Sequence, residues 1–152
     1  LMRENQKKLD GFIDELNDIV DTDANSFDVV MAAFKLPMNT DEEKKKRTEA
    51  IQTGYKKALE TPIHAAKLGL EAMRLQNIYA LKGNKNAITD VGVGTLLLQS
   101  GIEGALFNAL INLNSVKDAE YVAQKRAEVD EIMKEGKDLK EKTLEIVYSK
   151  LQ

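Results

Sequence analysis

The sequence contains no cysteine and no tryptophan, one histidine and two prolines among 152 residues. Without cysteine, the chain forms no disulfide and offers no thiolate as a nucleophile or metal ligand. A single histidine, His64, excludes a metal site built from several histidines of one chain. The sequence also has no GxGxxG or Walker loop, no HExxH and no paired ExxH motifs. Spacing alone therefore indicates no cofactor and no metal.

Charge and hydropathy suggest few partners. The net charge of −3 and the pI near 5.3 do not favour nucleic acid or an anionic membrane as a partner. Five of the first ten residues are charged, so no signal peptide is visible, and we expect a cytoplasmic protein. The longest apolar stretch, residues 91–113, is interrupted by polar side chains, which favours a buried core helix over a membrane span. These are Gln99, Glu103, Asn108 and Asn112.

The hydrophobic pattern predicts one domain, residues 1–152, of the all-α class: an up-and-down type bundle of about five helices with a buried central helix. The first helix is expected from Arg3 to Lys35. Thr40 followed by Glu43 forms a capping-box pattern for the second. Pro62 is expected to end that helix or begin a third.

Two more helices complete the predicted bundle. Thr89 or Asp90 is expected to cap a helix running to about residue 113, which is apolar nearly all round and is therefore predicted to be the central one. Ser115 with Asp118 is expected to cap the last helix.

Asp23 interrupts the apolar stripe of the first helix. It lies seven residues after Leu16 and seven before Val30, and residues seven apart share one helix face. A carboxylate on a core-facing stripe is costly unless it is paired, hydrogen-bonded or open to a ligand cavity. A structural role and a catalytic role for Asp23 are both consistent with this position.

Other polar residues accompany Asp23 as candidates. Each has a plain structural alternative: Asn84 and Asn86 suit a turn, Asp90 suits a helix cap, and Asn108 with Asn112 can fix helix register. Clustered amides alternatively bind a polar ligand. The full candidate set besides Asp23 is Ser26, Lys35, Arg47, Gln52, Asn84, Asn86, Asp90, Asn108 and Asn112.

An ordered series of short segments resembles the formimidoyltetrahydrofolate cyclodeaminase family, to which methenyltetrahydrofolate cyclohydrolases are related. The resemblance covers about residues 15–118. No single segment is diagnostic, but their order and spacing are specific. The segments are DTDANSF (21–27), MAAFKLP (31–37), TDEEK (40–44), RTEAIQ (47–52), TPI (61–63), GN (83–84), TDVGV (89–93) and GALFNALINL (104–113).

The resemblance implies a helical, homodimeric enzyme of folate one-carbon metabolism that needs no metal or redox cofactor. It would cyclise 5-formimidoyltetrahydrofolate to 5,10-methenyltetrahydrofolate and release ammonia, with a formimidoyltransferase as a further partner. The alternatives are a methenyltetrahydrofolate cyclohydrolase and a non-catalytic helical folate-binding or dimerisation module.

The resemblance also suggests roles for individual residues. Asp23 is the expected acid/base, because a partly desolvated carboxylate can accept and return a proton near neutral pH. The asparagines, Asp90, Ser26 and Gln52 are expected around the substrate, and Lys35 and Arg47 at its glutamate tail. Family members carry a Pro- and Gly-rich segment with a helix ahead of the matched region. Since residues 1–152 contain no such segment, we expect a cyclodeaminase-like domain that is N-terminally incomplete relative to the family.

Overall fold

The structure, a computed structural model, describes residues 2–152, which form four long α-helices and one short 3₁₀ turn. No β-strand occurs in this part of the chain. The all-α prediction is therefore confirmed, with four long helices instead of five. Their bounds are α1 Met2–Phe34, α2 Asp41–Lys82, α3 Ile88–Leu113 and α4 Ala119–Leu151, with the 3₁₀ turn at Lys85–Ala87.

The start of α2 is fixed by the capping box that the sequence predicts. The Thr40 hydroxyl accepts a hydrogen bond from the backbone N–H of Glu43 at 3.2 Å. The Glu43 carboxylate in turn accepts from the backbone N–H of Thr40 at 3.1 Å. These bonds satisfy N–H groups that the first turn of a helix cannot pair internally.

The predicted break at Pro62 is wrong, because α2, which is 42 residues long in all, continues through it without interruption. Proline in a helix interior costs about 3 kcal/mol. Here the flanking side chains Leu59 and Ile63 are fully buried, and the apolar area that they remove from water offsets that cost. Tertiary packing thus overrides the local preference of proline, and two predicted helices merge into one.

The caps of the last two helices also differ from the prediction. α3 begins after Ala87, which makes no side-chain capping bond, so Thr89 and Asp90 lie inside its first turn. Asp118 alone caps α4, its carboxylate accepting from the backbone N–H of Tyr121 at 3.1 Å. Ser115 lies in the preceding turn.

The central helix is α2 and not α3. α2 packs against each of the other three long helices, whereas α1 packs mainly on α2. The core lies where α2, α3 and α4 meet. Its fully buried large side chains include Leu59, Ile63, Met73, Ile102, Leu106, Leu113 and Val129.

α3 leaves one apolar face uncovered, which the prediction of an all-round buried helix missed. Leu97 and Ile111 are exposed on this face. Residues 85–113 are long and apolar enough to cross a membrane by length and composition. One such helix is a weak indication, because core helices pass the same test.

Replacing Leu106 with Ala should lower the free energy of unfolding by about 2–5 kcal/mol, since it removes a buried side chain and leaves a cavity. Leu97 is the matched control in the same helix: Leu106 is 0% exposed and Leu97 is 67% exposed. Leu97→Ala should change stability by less than about 0.5 kcal/mol. Urea unfolding followed by circular dichroism measures both. Equal losses would contradict the packing described for α3.

Candidate functional site

A groove runs between α1 and α3, with α2 as its floor. Its α1 wall extends from Leu9 to Phe27, a length of about 27 Å at 1.5 Å per residue. The floor consists of residues with little or no side-chain bulk, so it leaves open space between the two walls. These floor residues are Ala58, Pro62, Ala65, Gly69 and Ala72.

One half of the groove is apolar. A cavity of about 500 Å³ lies between Phe12 and Leu16 of α1 and Leu98 and Ile102 of α3. Gln76, from α2, is the one side chain with a polar group among the residues that line it. This half can hold apolar groups but offers little chemistry.

The other half of the groove contains three polar side chains, which we call the polar cluster: Asp23, Asn108 and Asn112. Two adjoining cavities of about 260 and 250 Å³ are both lined by Asp23 and Asn108. Asn112 lines the first of them. The structure therefore brings the predicted acid/base together with two of the predicted amides. A carboxylate and two amides provide both hydrogen-bond donors and acceptors.

Asp23 is exposed and does not point into the core; it borders the two cavities, which is one of the options that the sequence allowed for a carboxylate on this stripe. It does follow the heptad positions of α1 that pack on α2. The α2 residues at its level, however, are Ala58 and Pro62, which are too small to reach it. The carboxylate is therefore accessible to solvent and borders the two cavities.

Asn112 makes a long hydrogen bond to the backbone of α2. Its side-chain Nδ2 donates to the carbonyl oxygen of Ala58 at 3.5 Å. This contact supports a structural role, and Asn112 also lines the first of the two cavities. Ser26 is buried beside α2 and donates its hydroxyl proton to the carbonyl of Thr22 at 2.8 Å.

Arg47 and Lys35 lie beyond the polar cluster, near the C-terminal end of α1. The Arg47 guanidinium donates to the carbonyl of Phe34 at 3.2 Å and lies 5.5 Å from the centre of its ring. Phe34 is eleven residues after Asp23, or about 16 Å along the helix. Lys35 is exposed in the turn that follows. Both cations thus lie at the same end of the groove as the polar cluster.

Gln52 joins α2 to the turn between α3 and α4. Its amide nitrogen donates to the carbonyl of Ser115 at 3.0 Å, and its amide oxygen accepts from the N–H of Lys117 at 2.7 Å. These bonds give Gln52 a structural role, and a contact with substrate stays a prediction.

Asn84, Asn86 and Asp90 lie at the opposite end of α3 from the polar cluster. Asp90 and Asn108 are eighteen residues apart, about 27 Å along the helix. The Asn84 side chain accepts from the backbone N–H of Asn86 at 3.0 Å, which is the turn role that the sequence also allowed. Within one chain, these three residues do not reach Asp23, and their contact with substrate stays a prediction.

A network of ion pairs between α2 and α4 was not predicted. Lys125 Nζ lies 2.9 Å from a Glu60 oxygen and 3.0 Å from a Glu128 oxygen. Burial lowers the pKa of Lys125, but its hydrogen bonds to Glu60 and Glu128 outweigh burial and leave the pKa raised. Burial and a hydrogen bond to Glu60 also raise the pKa of Tyr121. Every charge in this network has a partner, so its role is to fix α4. Pairing across two helices far apart in sequence has no sequence signal.

Comparisons with known proteins identify the family. The family model described as formiminotransferase-cyclodeaminase matches residues 1–131. The chain belongs to the formiminotransferase-cyclodeaminase family. Among relatives of this family, the methenyltetrahydrofolate cyclohydrolase of Methylorubrum extorquens is 34% identical over 145 residues, which cover 95% of this chain and 70% of that protein.

Other members of the formiminotransferase-cyclodeaminase family extend the comparison. The formimidoyltransferase-cyclodeaminase of Sus scrofa is 35% identical over 123 residues, covering 81% of this chain but 23% of that protein. The chain thus spans about a quarter of the length of this relative. The fold resembles the crystal structure of formiminotetrahydrofolate cyclodeaminase from Thermotoga maritima, with a TM-score of 0.78 and 20% identity over 99% of this chain and 68% of the other.

Glu128→Gln should lower stability at pH 7 and reduce its loss in acid. Burial raises the pKa of the Glu128 carboxyl, but hydrogen bonds from Lys67 and Lys125 outweigh burial and hold the pKa below its ordinary value of 4.5. A depressed folded-state pKa adds stability above the unfolded-state value, and that stability is lost as pH falls through the folded-state pKa. Each partly exposed pair contributes at most about 1 kcal/mol.

Melting temperatures measured from pH 7 to pH 3 test this prediction. The gap between wild type and Glu128→Gln should be largest at pH 7 and shrink below about pH 4.5. Glu131→Gln, an exposed change three residues along α4, is the control and should follow wild type. A gap that stays constant across this range would rule out the ion pairs as its cause.

Proposed function

We propose that the chain cyclises 5-formimidoyltetrahydrofolate to 5,10-methenyltetrahydrofolate with release of ammonia, and that the polar cluster is its reaction site. The observation that carries the proposal is the meeting of Asp23, Asn108 and Asn112 at one groove. These residues come from two segments that resemble the family. The family match and the cyclodeaminase fold of the Thermotoga maritima neighbour support the reaction class.

The chemistry explains why a carboxylate is needed. In ring closure, N10 of the folate attacks the amidine carbon, and a new C–N bond forms as N10 loses its proton. The tetrahedral intermediate then expels the amine, which leaves as ammonia after it gains a proton. One carboxylate can take the first proton and donate the second, and such catalysis is worth roughly 10²–10⁴-fold in rate. The proposal gives this role to Asp23 and assigns no metal or redox cofactor.

The remaining residues of this half of the groove suit binding. The Asn108 and Asn112 side chains can hydrogen-bond the polar edge of the pterin ring. The glutamate tail of a folate carries carboxylates, which pair well with Arg47 or Lys35. Arg47 is already held in place by its contact with Phe34, so less side-chain freedom is lost when it binds.

The second candidate reaction is that of a methenyltetrahydrofolate cyclohydrolase, favoured by the Methylorubrum extorquens relative, whose name is that activity. Water would open the methenyl bridge, and the same carboxylate would take a proton from the attacking water. A third candidate is a folate-binding or dimerisation module without catalysis, which the exposure of Asp23 favours.

Asp23→Asn should lower the rate of ring closure by at least about 10²-fold, because an amide cannot carry the proton. Asp23→Leu should do the same and still fold, since the position is exposed. The near-ultraviolet absorbance of the methenyl product follows the reaction: it rises with 5-formimidoyltetrahydrofolate for a cyclodeaminase and falls with the methenyl compound for a cyclohydrolase.

Asp21→Asn is the matched control, because Asp21 is an exposed carboxylate of the same helix two residues away. It should keep the wild-type rate. If both Asp23 variants also kept that rate, Asp23 would have no catalytic role. Tetrahydrofolate binding without turnover in wild type would favour the non-catalytic module.

We also propose that the chain is a homodimer and that a formimidoyltransferase is its functional partner. Exposed apolar side chains on both walls of the groove support the dimer, because large exposed apolar patches mark interaction surfaces. The relatives whose names combine transferase and cyclodeaminase support the second partner. The exposed apolar side chains include Ile13, Val20, Phe27, Leu97, Phe107 and Ile111.

The double variant Val20→Glu/Ile111→Glu should convert a dimer to a monomer, because burying two carboxylates in an apolar interface is costly. Light scattering coupled to size exclusion measures the mass. Tyr148→Glu, which changes an exposed apolar residue of α4, should leave the dimer intact. A wild-type monomer, or a double variant that stays dimeric, would contradict the proposed interface.

A further inference from the structure

We infer that Pro62 is a positioning residue: it frees a backbone carbonyl of α2, and that carbonyl orients the side chain of Asn112 in the polar cluster. The structural link stands on its own geometry. Its effect on turnover rests on the proposed folate reaction. Pro62 lies in the middle of α2, far from the first turn, which is the part of a helix that tolerates proline.

Pro62 leaves one backbone carbonyl of α2 without its usual N–H donor. In an α-helix, the carbonyl of residue i accepts from the N–H of residue i+4. Proline has no N–H, so Pro62 gives the Ala58 carbonyl no such bond. Both residues are buried, where an unpaired carbonyl costs free energy. Asn112 Nδ2 lies 3.5 Å from this oxygen and supplies the replacement donor.

The contact with Ala58 also sets the orientation of the Asn112 side-chain amide. A carbonyl oxygen is only an acceptor, so the group of Asn112 that faces Ala58 must be its NH₂. The amide oxygen of Asn112 is then on the other branch of the side chain. Asn112 lines the same cavity as Asp23 and Asn108. The contact therefore selects one of two flipped states and presents an acceptor next to the carboxylate.

The orientation of the Asn112 amide affects which ligand groups can bind beside Asp23. An oriented acceptor beside Asp23 favours a group with an N–H donor, such as the amine of the amidine or an N–H of the pterin ring. A freely rotating amide would lose conformational entropy on binding, and fixing it in advance avoids that loss. Pro62 itself lines the neighbouring cavity with Asp23, so its own contacts also shape the site.

Pro62→Ala tests the inference because stability and activity should move in opposite directions. The new N–H of residue 62 can bond to the Ala58 carbonyl, so the melting temperature should rise. That N–H then competes with Asn112 Nδ2 for the carbonyl, so the Asn112 amide is less firmly oriented. KM for the folate substrate should therefore rise several-fold, with a smaller change in kcat. Thr61→Ala, the matched alanine substitution at the neighbouring position of α2, should leave both KM and kcat unchanged.

A double-mutant cycle of melting temperatures tests the coupling of Pro62 and Asn112 without any folate. Asn112→Leu should lower the melting temperature when Pro62 is present, because the Ala58 carbonyl then has no donor. It should lower it clearly less in the Pro62→Ala background. The side-chain amide resonance of Asn112 should also shift in Pro62→Ala, with that of Asn84, at the opposite end of α3, as the internal reference.

The outcomes separate the two proposals. If wild type turns over neither folate, the proposed function fails, while the double-mutant cycle still decides whether Pro62 and Asn112 are coupled. If wild type is active and Pro62→Ala keeps its kcat and KM, the positioning role is wrong. Equal effects of Asn112→Leu in both backgrounds would overturn the inference altogether.

Discussion

The burial of α2 among the other helices is the contact on which the rest of the structure depends. Leu59, Ile63 and Met73 of α2 are fully buried against α3 and α4. Burying a side chain of this size contributes about 1.5–3 kcal/mol each. Because α1 packs mainly on α2, its position relative to α3 is set through α2. The central helix therefore determines which side chains of α1 lie close to side chains of α3.

The small residues of α2 turn this packing into a site. Where Leu59 and Ile63 face the core, Ala58 and Pro62 face the groove, so one helix provides a dense side and an open side. The open side leaves room between the walls, and Asp23 and Asn108 reach into it. Pro62 contributes twice, as a small floor residue and as the residue that frees the Ala58 carbonyl for Asn112.

Some local signals were predicted well from the sequence, although the caps of α3 and α4 differ from the prediction. The capping box of Thr40 and Glu43 is present, and α1 ends one residue before the predicted position. These features depend on neighbours within four residues, which a sequence displays directly. The family was also identified, since its segments occur in order.

Tertiary features were predicted poorly, and each failure has a physical cause. Helix periodicity locates Asp23 on a face but does not reveal that the facing residues of α2 are too small to cover it. The apolar composition of α3 cannot distinguish a covered face from an exposed one. Asn84 and Asn108 were grouped by residue type, although a helix of 26 residues separates the ends on which they lie.

The central claim is that a reduced folate binds at the polar cluster, and side-chain amide resonances test it most directly. Titrating 5-formyltetrahydrofolate into ¹⁵N-labelled protein should shift the amides of Asn108 and Asn112, which line the cavity beside Asp23. The amide of Asn77, which donates to the Thr143 hydroxyl between α2 and α4, should stay in place. Shifts confined to Asn77, or no shift at saturating folate, would contradict the account.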